Sequence, residues 1–315
     1  MGKTLRYRRS VALATLSALG LWPAHFVAMA APASADSAGQ TFSSSWEEYQ
    51  AYRARAHGGV KPTVADLPDW TGIWQRDSNG LLASFDDSAG VNPMLGRVYG
   101  RSTASLTPKY QAAYEAKVAN IRVGKEWDRL SNCLPAGFPR MLAEPFLREF
   151  IVTPAETWMS HEQINETRRI YTDGRGHVPD DEAVPLWLGD SIGFWDRDTL
   201  VVHTNHIKAG EYQRGQPDFS FQISTVERIR KVDAQTIEDR ISVYDPVSLT
   251  RPWQVVFHYK KVEQPGLRIN YDACEENNNV YLAPDGTTHY IFPGDPKYRD
   301  PTTFGIPSVA IGSEK

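Results

Sequence analysis

Residues 169–177, which read RIYTDGRGH, bring together side chain types that can move protons. His177 follows a turn that contains Asp173, and Asp190 lies further along the chain. A neutral histidine beside a carboxylate can carry a proton near neutral pH, because the unperturbed pKa of histidine is about 6.5. The sequence therefore predicts His177 as a proton shuttle, with Asp173 or Asp190 as the carboxylate that orients its ring.

Further charged residues complete a predicted acid/base set. Arg140 or Arg169 would hold a developing negative charge on the substrate, as preorganised hydrogen-bond donors do in many enzymes. Glu275 is predicted as a second acid or base. Such a set suits cofactor-independent hydration, elimination, isomerisation or hydrolysis of a small organic molecule. The predicted catalytic residues are His177, Asp173, Asp190, Arg140, Arg169 and Glu275.

A purely structural interpretation fits the same residues equally well. Asp173-Gly174 is a strong hairpin-turn pair, because glycine adopts a positive φ without steric cost, and such a turn would leave His177 in water. Arg169 and Glu275 would then form a pair that sets the register of two strands. The sequence leaves the catalytic and the structural interpretation open.

Aromatic residues are abundant, with nine Trp, 14 Tyr and 12 Phe. Most of these should form the core and covering of the fold. The remainder would suit a small, largely apolar ligand, aromatic or terpenoid-like, since pockets for such molecules are mostly apolar with a few polar groups. The predicted ligand-binding residues are Tyr171, Trp187, Trp195 and His203.

The sequence lacks the usual motifs for metals and cofactors. His203 and His206 stand three apart, so on a regular strand their rings point to opposite faces and do not reach one ion. The acidic loop at residues 173–182 lacks the alternating pattern of a calcium loop. The string GDSIG at residues 189–193 lacks the strand-turn-helix context of a nucleophile elbow, and no phosphate-binding glycine motif occurs. We therefore predict no metal and no cofactor.

The first 35 residues have the order of a secretory signal peptide. Basic residues within the first nine positions precede an apolar stretch at residues 11–22, which is shorter than the ~20 residues of a membrane-spanning helix. A small-residue site follows, so we expect cleavage near Ala35, after either general secretory or twin-arginine export. The predicted location is the periplasm or the exterior, with no integral membrane segment in the mature chain.

The net charge of the mature chain excludes one class of partner. Removal of the export segment takes away four of the 34 basic residues and none of the 38 acidic ones, which leaves a net charge of −8. A surface of this sign repels phosphates, so no nucleic acid partner is predicted.

Cys133 and Cys274 are the only cysteines, and in an oxidising compartment we expect them to form a disulfide. The alternative is a catalytic thiolate.

Two short helices are predicted ahead of the sheet. Two serines at residues 44–45 stand three positions before two glutamates, a doubled capping-box pattern. A second helix begins with Thr107 as its cap and Pro108 at its first position. Neither helix has a wide apolar face, so both should pack outside a larger body.

The rest of the chain is predicted to be a series of short strands. The predicted strand segments are residues 69–74, 169–171, 192–194, 200–202, 225–230, 236–244, 253–262, 267–274 and 288–292. Strands at roughly 10–15-residue spacing with no helix between them favour an antiparallel meander. Alternation over residues 236–244 predicts one largely apolar and one polar face. The predicted fold is mainly β: an antiparallel meander that closes into a lipocalin-like β-barrel, which removes exposed edges, with both helices packed outside.

Several strings support this interpretation by resemblance. They include WTGIW at residues 70–74, CLPAGFPR at 133–140, RIYTDGRGH at 169–177, GDSIGFW at 189–195 and CEENN at 274–278. In this order they resemble a widespread family of exported bacterial proteins of uncharacterised function. The resemblance runs from about Trp70 to Asn278 and implies a β-rich, lipocalin-like barrel with no reaction attached. The family commonly carries Asp at the position of His203.

The sequence therefore predicts four regions and leaves two functions open. The regions are a signal peptide at residues 1–35, a helical extension at 36–68, a β-barrel domain at 69–292 and an extended tail at 293–315. The first function is a cofactor-independent lyase, hydratase, isomerase or hydrolase that acts on a small, largely apolar organic molecule. The alternative is a non-catalytic periplasmic carrier or envelope interaction protein on the same fold.

Overall fold

A computed structural model describes residues 41–77, 104–123, 125, 128–213, 215–270, 272, 280–282, 284, 288–290, 294 and 296. From residue 42 onward these positions belong to one unit, Phe42–Lys315. The predicted signal peptide lies outside the described residues, and so do Cys274 and Glu275.

Nine strands form a closed barrel in chain order. Strand β1 pairs with both β2 and β9, and this pairing closes the sheet on itself. The predicted mainly β fold and its barrel closure are confirmed. Two further strands, β10 and β11, form a separate two-stranded sheet. The strands are β1 Trp74–Arg76, β2 Leu147–Val152, β3 Glu156–His161, β4 Thr167–Tyr171, β5 Asp190–Asp196, β6 Thr199–Asn205, β7 Ser224–Asp233, β8 Thr236–Tyr244, β9 Trp253–Lys261, β10 Val280–Leu282 and β11 Thr288–Tyr290.

The barrel departs from a simple antiparallel meander between β4 and β5. These two strands run parallel, with Ile170 opposite Ser191. Parallel neighbours require a long crossover, and residues 172–189 form it. The expectation of a hairpin at Asp173-Gly174 was wrong. Gly174 does adopt a positive φ of 95°, but it begins this crossover instead of reversing the chain into a neighbouring strand.

Two predicted strands are shorter or absent. Of residues 69–74 only Trp74 belongs to a strand, because the chain bends at Gly72, where φ is 123°. Residues 267–270 are not in a strand. There the Glu162 carboxylate accepts a hydrogen bond from the backbone N–H of Asn270 at 3.1 Å, so a side chain takes the place of a strand partner.

Both predicted helices form. Ser44 caps the first helix, and its hydroxyl accepts a hydrogen bond from the Glu47 backbone N–H at 3.2 Å. Pro108 opens the second helix, but Thr107 does not cap it, because the Thr107 hydroxyl donates to the Val247 carbonyl at 3.0 Å. No helix in the described part of the chain is long and apolar enough to cross a membrane. The helices are α1 Ser45–Arg55, α2 Pro108–Arg122 and α3 Arg140–Ala143, with 3-10 turns at Val64–Asp66, Arg129–Asn132 and Gln163–Asn165.

Helix α1 is fastened to the outer face of the barrel by a buried carboxylate. Glu48 accepts hydrogen bonds from the Ser242 hydroxyl at 3.1 Å and from the Tyr244 hydroxyl at 2.7 Å, both on β8. Next to it, Tyr49 packs edge-on against Phe194 of β5, with 5.3 Å between ring centroids. These contacts hold the start of α1 against the side of the barrel formed by β5 to β8.

The inward faces of the strands form one core. Trp74, Phe150, Trp195 and Tyr259 are at most 4% exposed and belong to a single apolar cluster. Because strand side chains alternate between faces, the intervening residues point to α1, to other loops or to water. Trp195, predicted to contact a ligand, is therefore placed in the barrel core.

A charged group also lies inside the barrel. The Arg168 guanidinium donates two hydrogen bonds to the Glu227 carboxylate, and both side chains are at most 1% exposed. Asp239 is fully buried beside Glu227. Burial, followed by the neighbouring Glu227 carboxylate, raises the pKa of Asp239 well above its usual range. The barrel interior thus holds a carboxylic acid next to a carboxylate clamped by an arginine.

Replacement of Asp239 by asparagine should reduce the loss of stability that the protein shows as pH rises. The folded protein retains the Asp239 proton, whereas the unfolded chain releases it above pH ~3.9. The free energy of unfolding therefore falls as pH rises above this value, until the folded protein also loses the proton. Asparagine has a similar shape and no titrating proton. Between about pH 5 and pH 9 we expect the urea unfolding free energy of Asp239→Asn to fall less steeply than that of the wild type.

The matched control is Asp233→Asn, on the hairpin that joins β7 and β8. Asp233 is exposed, and hydrogen bonds led by one from the Gln235 backbone N–H lower its pKa, so its removal should leave this pH slope unchanged. Parallel stability curves for wild type and Asp239→Asn would contradict the assignment of a retained proton.

Candidate functional site: a serine–histidine–histidine–aspartate relay

A continuous chain of hydrogen bonds runs beneath the start of α1. The Asp190 carboxylate lies 2.8 Å from Nδ1 of His177, and Nε2 of His177 lies 2.7 Å from Nδ1 of His203. Nε2 of His203 lies 2.9 Å from the hydroxyl oxygen of Ser45, which donates to the Ser224 hydroxyl oxygen at 2.7 Å. We call Asp190, His177, His203 and Ser45 the relay.

Strand register and one glycine position the relay. Asp190 is the first residue of β5, and its neighbour Gly189 has a φ of 69°. A Cβ on Gly189 would lie 2.7 Å from the Asn205 carbonyl oxygen, so only glycine lets the start of β5 approach the end of β6 this closely. His203 lies on β6 opposite Ile192 and faces outward, toward α1. The crossover that follows β4 then brings His177 between Asp190 and His203.

Donor and acceptor roles give the relay one direction. An ionised carboxylate only accepts hydrogen bonds, and a neutral imidazole carries one proton. His177 therefore donates from Nδ1 to Asp190 and accepts at Nε2 from Nδ1–H of His203. This leaves Nε2 of His203 as an acceptor that faces the Ser45 hydroxyl, a tautomer assignment made from the hydrogen-bond pattern. The Ser45 hydroxyl carries one proton, which it donates either to the Ser224 oxygen or, after rotation about its C–O bond, to Nε2 of His203.

Electrostatics favour these protonation states. Burial alone would raise the pKa of Asp190, but the hydrogen bonds from His177 and from the Val178 backbone N–H at 3.0 Å outweigh burial and lower it. Burial, followed by the neighbouring His177 ring, lowers the pKa of His203 to about 3. Near neutral pH, Asp190 is therefore ionised and His203 is neutral.

Aromatic rings cover the two imidazoles. The Trp46 ring meets the His203 ring edge-on, with 5.2 Å between centroids, and lies 6.0 Å from the His177 ring. Tyr49 lies 5.6 Å from His203 and stacks on Trp46, with 5.5 Å between ring centroids. Trp46 is 44% exposed although Ser45 is only 4% exposed. The surface residue Trp46 thus covers part of the relay, while the side chains of His177 and Asp190 remain 11% and 13% exposed.

Three residues singled out from the sequence meet in the relay, namely His177, Asp190 and His203. Their catalytic and ligand-binding roles stay predictions. Asp173, the other carboxylate proposed for His177, is placed elsewhere, because its carboxylate forms an exposed ion pair with Arg175 at 2.6 Å. The turn residues therefore pair with each other and not with the imidazole.

The remaining predicted residues do not join the relay. Arg169 points outward from β4, with its guanidinium 4.2 Å over the Trp158 ring. Tyr171 lies beneath the Arg175 guanidinium at 4.0 Å. Trp187 is flanked by two cations, of which the Lys208 ammonium lies 4.2 Å from its ring.

Arg140 belongs to a separate buried ion cluster at the start of α3. Its guanidinium lies 2.9 Å from Asp128, 2.7 Å from Glu144 and 3.3 Å from Glu211. These carboxylates neutralise the arginine, so it is placed as a structural cation and not as an anion clamp beside the imidazoles.

Sequence reasoning missed one group that titrates near neutrality. Glu166 accepts a hydrogen bond from the Gly137 backbone N–H at 2.9 Å. Burial raises the pKa of Glu166 to about 7, although this hydrogen bond opposes the shift. No periodic pattern marks such a residue, because its pKa depends on burial beneath a distant loop.

Sequence reasoning also missed Ser45. The serine pair at residues 44–45 predicts a helix cap, and Ser44 provides it. Ser45 is then left to point at His203, which lies 158 positions away in sequence. Only the docking of α1 on the barrel brings these two side chains together.

Some predicted features lie outside the described residues. Glu275 and Cys274 are among them, so the role of Glu275 and the pairing of Cys133 with Cys274 stay predictions. Cys133 ends the second 3-10 turn with a left-handed φ of 56°. Within the ranges that the structure describes, no group of three or more His, Cys, Asp or Glu side chains is arranged to hold a metal ion.

Comparisons with models of protein families, with curated proteins and with solved structures found no match for this chain.

Proposed function

We propose that this protein is an enzyme that acts on a small, largely apolar organic molecule by cofactor-independent acid/base chemistry. The single observation that carries the proposal is the relay, in which one carboxylate, two imidazoles and a hydroxyl are joined by hydrogen bonds of 2.7–2.9 Å. Buried polar chains are costly to assemble unless every member is satisfied. A carboxylate and two imidazoles that are joined by hydrogen bonds support a role in proton transfer.

Proton transfer along the relay would leave the positive charge next to a carboxylate. A proton accepted by Nε2 of His203 is matched by transfer of the His203 Nδ1 proton to Nε2 of His177. The positive charge then rests on His177, directly against the Asp190 carboxylate, and not on the more deeply buried His203. An opposite charge at hydrogen-bond distance stabilises an imidazolium.

The aromatic surroundings support an apolar substrate. Trp46 and Tyr49 present ring faces or edges to the imidazoles. A flat aromatic or terpenoid-like molecule would replace contacts of this type when Trp46 moves aside, whereas a highly charged substrate would lose hydration there.

The test is a conversion screen with the purified mature protein. A panel of small aromatic and terpenoid-like molecules would cover hydration, elimination, isomerisation and ester hydrolysis, with product detection by mass spectrometry. For the substrate converted, His177→Gln should lower the rate at least about 100-fold, because glutamine hydrogen-bonds but does not carry a proton.

The control is His258→Gln, which removes an exposed imidazole on the outer face of β9 that lies 3.3 Å from the Glu238 carboxylate. This variant should convert at the wild-type rate. Equal rates for wild type and His177→Gln would contradict the proposal. No conversion of any class, together with a small molecule that copurifies with the mature chain, would favour the non-catalytic carrier instead.

We also propose export and a disulfide. The mature chain from periplasmic extracts should begin near residue 36, and a non-reducing peptide map should link Cys133 to Cys274. An intact N-terminus, or two alkylatable thiols in the folded periplasmic protein, would contradict these two proposals respectively.

A further inference from the structure

We infer that Ser45 is a catalytic nucleophile and that the relay serves ester hydrolysis through an acyl-Ser45 intermediate. This inference rests on the proposed function and names its substrate class, a carboxylic ester with a small aromatic or apolar acyl group. The geometry that points to it is the 2.9 Å contact between the Ser45 hydroxyl and Nε2 of His203 at the end of the relay.

Serine needs an adjacent base to act as a nucleophile, and His203 is placed for that role. His203 is held by His177, and His177 is held in turn by Asp190. Two orienting groups thus stand behind the base, where a simple triad has one. His203 touches the reacting atoms, whereas His177 and Asp190 act as positioning residues.

The backbone around Ser45 supplies a place for negative charge. Ser45 and Trp46 are the first two residues of α1, an 11-residue helix, and the first N–H groups of a helix have no partner within the helix. Glu47 N–H donates to Ser44. Within the described ranges, the N–H groups of Ser45 and Trp46 have no hydrogen-bond acceptor. A developing oxyanion beside the Ser45 hydroxyl would meet both.

The proposed reaction balances without a cofactor. The Ser45 oxygen forms a bond to the ester carbonyl carbon, the carbonyl electron pair moves to its oxygen, and the hydroxyl proton goes to Nε2 of His203. The carbon–alkoxy bond then breaks, and the alkoxide leaves with that proton. Water attacks acyl-Ser45 by the same steps in the second half, releasing the carboxylic acid and restoring the hydroxyl.

Trp46 determines access to the nucleophile. Its indole covers both imidazoles while Ser45 itself is almost fully buried. A substrate therefore reaches Ser45 only when this side chain swings outward. Truncation of Trp46 should raise the population of open molecules and speed the first chemical step.

The experiment uses an alkyl fluorophosphonate, which a nucleophilic serine attacks at phosphorus with loss of fluoride. The full mature chain should gain one phosphonyl group by intact mass, and peptide mapping of the wild type should locate it on Ser45. Ser45→Ala should abolish the adduct, and Ser45→Gly serves as a second variant. Trp46→Ala should accelerate labelling by about tenfold or more, as expected when a closed state is removed.

The matched control is Ser43→Ala, because the Ser43 hydroxyl is exposed, contacts Glu47 and lies only two residues away. It should label at the wild-type rate. An unlabelled Ser45 in both wild type and Trp46→Ala, or an adduct that persists in Ser45→Ala, overturns the nucleophile assignment. If Ser45→Ala still converts a non-ester substrate in a His177-dependent way, only this inference fails and the proposed acid/base function stands.

Discussion

Replacement of Arg168 by methionine should lower the free energy of unfolding by about 3–5 kcal/mol, because it leaves the Glu227 carboxylate buried without its partner. Glu227 is fully buried and receives both of its charged hydrogen bonds from Arg168. The neighbouring Asp239 offers no compensating positive charge. The Arg168 guanidinium also lies over the Phe138 ring, 3.9 Å from its centroid, so methionine removes this cation–π contact together with the ion pair.

The adjacent residue provides the control. Arg169 lies on the opposite face of β4, where it is exposed and contacts the Trp158 ring. Arg169→Met should therefore cost less than about 1 kcal/mol by urea denaturation. The double variant Arg168→Met with Glu227→Gln should recover part of the lost stability, because the uncompensated charge is gone. A loss below about 1 kcal/mol for Arg168→Met alone would contradict the burial of this pair.

Replacement of Asp190 by asparagine should slow the His177-dependent reaction by about 10²–10⁴-fold while the fold remains intact. Asparagine no longer stabilises an imidazolium at His177. Its amide can also donate to Nδ1, which would reverse the tautomer of His177 and with it the direction of the relay. The expected effect is on the rate of conversion, and on the rate of phosphonylation if Ser45 is the nucleophile.

The tautomer reversal separates a positioning role from a purely structural one. Nitrogen chemical shifts of labelled histidine should show His177 protonated on Nδ1 in the wild type and on Nε2 in Asp190→Asn. The matched control is Asp173→Asn, which removes a carboxylate that pairs with the exposed Arg175, and which should change neither rate nor shifts. Unchanged histidine shifts in Asp190→Asn, with an unchanged rate, would remove Asp190 from the relay.

Local patterns account for most of the correctly predicted fold. Residues 236–244 alternate between faces and form β8 with the same bounds. Ser44 caps α1 as its spacing indicates. Each of these depends on interactions within a few residues, which sequence period and turn chemistry encode.

Features that depend on contacts between residues far apart in sequence were not predicted by the same reasoning. The Asp-Gly pair at residues 173–174 indicates a tight turn but not whether the next strand is antiparallel, and here a crossover leads to a parallel partner. Asp239 fits the apolar face by its period, yet nothing local indicates that Glu227 and Arg168 surround it. That arrangement depends on the register of strands brought together by closure of the barrel.

The sequence by itself determined the β-rich class, the barrel closure, the capped helix α1 and the residue types able to move protons. It also singled out His177, Asp190 and His203 as members of a candidate site. Only the tertiary structure decided that Asp190 and not Asp173 orients His177, and that Ser45 completes the relay. The physical reason is that a hydrogen bond requires two groups within about 3 Å, and groups far apart in sequence reach this distance only through strand register and helix docking.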